Sequence, residues 1–138
     1  MKILELLTPK RKIGNRGEKE ACRFLRKNGY KIKRTNYVAN GHEIDVIAEN
    51  AETLAFIEVK TRTEGYENPK EPRPASSVTP EKQRKIISAA KAYITYAHTN
   101  KQLRFDVIEV ILSKKGKNAT VSHLIGAFNA DTAYKRKY

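Results

Sequence analysis

Asp45, Glu58 and Lys60 carry the groups that could do chemistry in this chain: two carboxylates separated by twelve residues, and an ammonium two positions after the second. Glu43 adds a third carboxylate two positions before Asp45. Carboxylates are hard oxygen ligands, and a set of them with no thiol nearby suits magnesium or manganese rather than a soft metal. Like charges on one patch repel, and ionised groups are costly to bury without a partner. A sequence that concentrates them within apolar runs is therefore expected to bind a cation there.

The elements that must position these groups are two short strands. Glu43-Ile44-Asp45-Val46-Ile47-Ala48 and Leu54-Ala55-Phe56-Ile57-Glu58-Val59-Lys60 are rich in β-branched and aromatic residues, and a polar connection of hairpin length, 49–53, separates them. Side chains alternate between faces along a strand. Glu43, Asp45 and Ile47 are expected to share one face of the first strand, and Phe56, Glu58 and Lys60 one face of the second. A turn centred between Ala51 and Glu52 sets Asp45 opposite Glu58 and Glu43 opposite Lys60.

Before this hairpin, Asn15 reads as an N-cap for a helix reaching about Asn28, with Gly29 just past its end. Ala21, Cys22, Phe24, Leu25 and Asn28 recur at helical spacing, and Glu18 belongs to the same inward face. Glu18 is either the N3 member of a capping box with Asn15 or an acid pointing over the sheet into the metal patch. Lys19, Arg23, Arg26 and Lys27 occupy the other sides, as a solvated face or as phosphate contacts. Tyr30 to Tyr37 reads as a basic strand. Residues 63–79, with three prolines and no apolar period, form a long loop. Thr79-Pro80 opens a second helix to about His98, whose first turn carries Lys82, Gln83, Arg84 and Lys85, a phosphate-suited start. Leu103 to Leu112 is an almost continuous apolar strand, with Asp106 inside it as a structural acid bonded to Arg104 or a backbone N–H. Ala119 to Ile125 is an edge strand. Residues 1–12 form a basic arm, 13–129 the domain, and 130–138 a basic tail.

The chain has 138 residues, enough for one domain with a core, and a net charge of +13. That charge is uneven. Residues 1–40 carry 12 Lys/Arg against 3 acids, whereas residues 41–62 carry 2 against 5. An acidic centre flanked by basic segments suits a polyanionic partner. The single cysteine, Cys22, excludes an internal disulfide and a multi-cysteine zinc site, and His42, His98 and His123 lack ligand spacing. No apolar run approaches the length of a membrane span, so the expected location is cytoplasmic, with no membrane partner.

The spacing Asp, twelve residues, Glu-x-Lys resembles the metal-dependent nuclease superfamily written PD-(D/E)xK. Gly14-x-x-Gly17-Glu18-x-x-Ala21, Glu43-Ile44-Asp45, Phe56-Ile57-Glu58-Val59-Lys60-Thr61-Arg62, Lys82-Gln83, Arg104-Phe105-Asp106-Val107 and Ile125-Gly126-Ala127-Phe128 stand in the order of the YraN-like bacterial family. That family is regarded as similar to archaeal Holliday-junction resolvases. The match covers roughly Ile13 to Asn129, with His42 where the family usually has a second Gly. The resemblance implies a single α/β domain with a mixed central β-sheet flanked by helices, a restriction-endonuclease-like core. It implies Asp45 and Glu58 as metal ligands, with Glu18 and Glu43 completing the site, and Lys60 beside the attacked phosphate. Lys82, Gln83, Arg84 and Arg62 are the expected nucleic-acid contacts, with Mg2+ or Mn2+ as cofactor and structured or branched DNA as partner. A nucleic-acid-binding module of the same fold without cleavage is the alternative, and a scaffold whose basic surface sets only solubility is a third reading. A homodimer is compatible with the sequence, which fixes no oligomeric state.

Overall fold

A computed structural model describes residues 9–65, 78–115 and 117–130; side chains are described from Gly14 onward. The elements in chain order are α1 (Pro9–Lys27), β1 (Lys31–Ala39), β2 (His42–Glu49), β3 (Thr53–Thr63), α2 (Pro80–Ala97), β4 (Gln102–Leu112) and β5 (Ala119–Phe128). The strands form one sheet in the order β1-β2-β3-β4-β5. β3 and β4 pair in parallel, from Thr53↔Gln102 to Thr63↔Leu112, and the other neighbours are antiparallel. A parallel pair cannot be joined by a tight turn, and the chain makes this crossover through α2. The expected α/β domain with a mixed sheet and flanking helices is what forms.

Alternation along β3 builds the two cores. Leu54 and Phe56 pack with Ile86, Ile87, Ala90 and Tyr93 of α2. Ala55 and Ile57 pack with Ala21, Cys22 and Leu25 of α1. The helices therefore lie on opposite faces of the sheet. β3, covered on both sides, reads as an unbroken apolar run with residues 53–57 all buried.

Thr79 caps α2 as expected, its hydroxyl accepting from Lys82 N–H at 3.2 Å, with Pro80 in the first turn. The start of the first helix differs from expectation. α1 begins at Pro9, within the segment read as an arm, so Asn15 lies inside the helix and is not its cap. The capping-box role of Glu18 falls with it. Gly29, at φ 87°, ends this helix in the left-handed conformation expected of a C′ residue. Residues 1–8, most of the long loop (66–77) and the tail from 131 onward lie outside the described residues. Among the described residues no helix is long and apolar enough to cross a membrane.

Asp106 is fully buried and is structural, as its sequence context suggested. It holds both partners expected of it and a third. Arg104 donates through Nε at 2.9 Å and through an NH2 group at 2.9 Å, the Gly126 N–H donates at 2.9 Å, and His123 Nε2 lies 2.8 Å away. Burial alone would raise the Asp106 carboxyl; the bonds from His123, Arg104 and Gly126 outweigh it and hold the group below the usual carboxylate range. This knot fastens β5 to β4 where the ladder between them shifts register, between Phe105 and Val107.

Candidate metal centre

The hairpin register is the one the turn position dictates: Glu49↔Leu54, Ala48↔Ala55, Ile47↔Phe56 and Val46↔Ile57. The ladder then stops one pair short of Asp45 and Glu58, and neither the Asp45–Glu58 nor the Glu43–Lys60 pairing forms. β2 continues beside β1, as far as Ala39↔His42, while β3 continues beside β4. The two strands thus part like a fork. Asp45 sits in its crotch, and its Oδ2 accepts from the Val59 N–H at 2.8 Å. Strand N–H groups point along the sheet plane toward the neighbouring strand. The Asp45 carboxylate therefore takes the place of a backbone carbonyl, half-buried near the sheet plane.

Alternation also slips here. Ile44 and Ile47 both belong to the α2-side core, although three residues apart, while Val46 and Ala48 belong to the α1 side. A regular strand cannot do this. The slip falls at Asp45, and across from it on β1, between the pairs Thr35↔Val46 and Tyr37↔Ile44, stands Asn36 with φ 51°. Asn tolerates this left-handed conformation better than most residues. One consequence corrects the sequence reading: Ile47 does not share a face with Asp45.

Three acids meet at the fork from two elements. Single carboxylate oxygens of Glu18, Glu43 and Asp45 all lie within 4.8 Å of one another. Glu18 comes from α1 and is at the site, in line with its sheet-facing reading. Glu58 approaches from the other side. It alternates onto the α2 face with Phe56, and its Oε1 lies 3.7 Å from Lys82 Nζ. Its Oε2 is buried and, among the described residues, has no hydrogen-bond partner. Burial first, then the charges of Glu58, Glu18 and Glu43, push the Asp45 carboxyl up to about 7, against the lowering effect of the Val59 N–H. Lys60, half-buried, follows Glu58 on the α2 side. An all-oxygen donor set, an orphaned buried carboxylate oxygen and mutual repulsion among four acids fit a hard divalent cation.

The expected nucleic-acid contacts divide. Lys82 reaches the acids and Arg84 is exposed in the same turn. Arg62 pairs with the Glu109 carboxylate on β4, and Gln83 Nε2 donates to Val78 O at 2.8 Å, just before the cap of α2.

Two determinants were not legible as such. One is the Val59 backbone N–H, which no side-chain pattern announces. The other is Gly17, which lets α1 lie against β3. A Cβ at residue 17 would fall 2.8 Å from Thr61 Cβ and 2.7 Å from Thr61 Cγ2. A glycine inside a helical pattern is the signal that could have raised it. Gly17→Ala is expected to destabilise the protein by about 1–3 kcal/mol through overpacking, even though Ala is the better helix former by about 1 kcal/mol. Urea unfolding measures it, and unchanged or greater stability would mean that α1 can move off β3 at no cost.

Comparison with known proteins gives one consistent result. The sequence profile of "Uncharacterised protein family UPF0102" matches residues 17–110. A UPF0102 protein of Myxococcus xanthus is 37% identical over 123 residues, covering 88% of this chain and 92% of the relative. One of Chlorobium phaeobacteroides (strain BS1) is 45% identical over 100 residues, covering 72% and 76%. One of Desulfosudis oleivorans is 40% identical over 130 residues, covering 93% and 98%. The profile begins at the glycine of the α1–β3 contact and spans every acid of the fork.

Proposed function

The chain belongs to the UPF0102 family, and we propose that it is a divalent-metal-dependent phosphodiesterase acting on structured DNA. The observation that carries this reading is the fork: three acids meet where two strands part, one of them pushed to a neutral-range pKa in part by the charge of a fourth, Glu58, which pairs with Lys82 of α2. Asp45, Glu18 and Glu43 would hold a magnesium or manganese ion, with Glu58 closing on it from the α2 side. Bound there, the ion would supply Lewis-acid polarisation of a phosphate oxygen and a water acidic enough to ionise near neutral pH. The chain's own residues do the rest. The Val59 N–H fixes the Asp45 carboxylate in one orientation. Lys60 would stabilise negative charge developing on the phosphate, an interaction that strengthens toward the transition state. Lys82 and Arg84, in the first turn of α2, add cations for the incoming backbone.

One observation favours a silent binding module instead. Lys82 already stands 3.7 Å from Glu58, an internal counterion that quiets part of the acid cluster without a metal. A screen over duplex, flap, four-way junction and single-stranded DNA separates the two. With magnesium or manganese, nicked product is expected on at least one substrate; calcium is expected to bind and support little cleavage, because its looser geometry positions and activates water poorly. Binding without product on every substrate would leave the silent module as the function.

A further inference from the structure

Bordering the core stripe of α1 at Cys22, a groove of about 620 Å³ runs between the helix and β1. Lys19, Arg23, Arg26 and Lys27 line its helix wall, Thr35 and Asn36 line its strand wall, and Glu18 is the single acid among the lining residues. Glu18 also belongs to the acid cluster at the fork, so groove and cluster are continuous. We infer that this groove seats the phosphate backbone of one nucleic-acid strand and leads it to the acids, an inference that rests on the phosphodiesterase reading.

Charge placement argues against a merely solvated face. Lys19–Arg23 and Arg23–Lys27 are like-charged i,i+4 pairs, which destabilise a helix. Arg23 leans on Glu20 at 3.4 Å, an exposed i,i+3 pair whose acid lies outside the groove lining. The strand wall supplies no acid to balance the helix wall. It instead holds a left-handed residue, Asn36, across from the slip at Asp45. Left-handed non-glycine residues cluster where a site demands them. A bound polyanion converts the repulsion along α1 into attraction. It also answers a difficulty of the fork, whose carboxylates by themselves repel phosphate. From Lys19 to Lys27 the helix rises about 12 Å, the span of roughly three to four nucleotides of one strand.

The test is salt-dependent binding of a labelled single strand in EDTA, where nothing is cleaved. The double variant Arg23→Gln/Arg26→Gln is set against Lys114→Gln/Lys115→Gln, which removes the same charge from the turn after β4. Two lost phosphate contacts are expected to lower the salt slope by about 1.4 and weaken binding about fifteenfold near physiological salt, with the control double close to the parent. Both groove arginines are exposed, and the variant is expected to unfold at the same or higher temperature, so lost binding is not lost fold. Equal slopes for the two doubles, with the parent binding normally, would overturn the groove and leave the phosphodiesterase reading standing. A parent that binds no nucleic acid at any salt would overturn both. Equal competition by a polyglutamate peptide would make the groove a general polyanion seat and remove its assignment to nucleic acid.

Discussion

Asp45→Asn is expected to abolish metal-supported cleavage while making the metal-free protein more stable at pH 8. The loss of rate follows from the position in the fork. Asn keeps the shape and can still accept from the Val59 N–H, but it removes the charge on which metal binding depends. Metal assistance is worth several kcal/mol at a phosphoryl transition state, about three orders of magnitude in rate. The gain in stability follows from the sign of the linkage. Below about pH 4 the Asp45 carboxyl is neutral in both the folded and unfolded chain and costs nothing. Between about 4 and 7 the unfolded chain ionises while the folded one keeps its proton, so stability falls as pH rises. Above about 7 the whole cost is present, on the order of 2–4 kcal/mol once partial exposure is allowed for. Urea unfolding of parent and variant in EDTA checks it. The stability difference should open between about pH 4 and 7 and vanish below about pH 4. A pH-independent difference would mean that Asp45 titrates as an ordinary carboxyl, and cleavage by the variant at the parent's rate would remove the phosphodiesterase assignment.

Asp106→Ala is expected to cost about 3–5 kcal/mol, the range for removing one partner from a buried charge pair. The acid answers Arg104, His123 and the Gly126 N–H together, and its loss removes the counterion of a guanidinium that is 19% exposed, leaving it the Tyr30 hydroxyl, and the partner of an imidazole that is 8% exposed. The damage should be local first. Amides of β5 near residues 122–126 should exchange with solvent faster than those of β2 or β3, because the knot holds β5 where its ladder shifts register. A cost below about 1 kcal/mol, with β5 exchange unchanged, would show that the apolar contacts of Phe128 and Val121 suffice.

The sequence carried the strands, their order and the hairpin register, because β-branched runs, a short polar turn and a mostly period-two pattern all agreed. Helical spacing also set Glu18 on the inward face beside Ala21 and Cys22, but its approach to the hairpin acids was one of two open readings and came from the family resemblance. The sequence did not carry the fork. Extending a regular ladder by one pair sets Asp45 opposite Glu58, whereas the strands separate at that pair and the carboxylate bonds to a backbone donor. Nothing in the residue types at 45, 58 and 59 states where a ladder ends. Nor did Asn36 declare a left-handed conformation amid a strand pattern. The start of α1 was misplaced because Asn15 has the chemistry of a cap, while the chain upstream of it, Pro9 included, is already helical. Pro at a first turn was the better signal.

The close approach of Gly17 to Thr61 has a consequence for sequences other than this one. The two residues are far apart in the chain yet share one small volume, which holds either a threonine side chain at 61 or a Cβ at 17, but not both. Substitutions at these positions should therefore be correlated across relatives: a chain bearing Ala or Ser at the position of Gly17 should bear a residue smaller than Thr at the position of Thr61. In a double-mutant cycle, Thr61→Gly should cancel most of the cost of Gly17→Ala, leaving a coupling of about 1 kcal/mol or more, where independent sites would add.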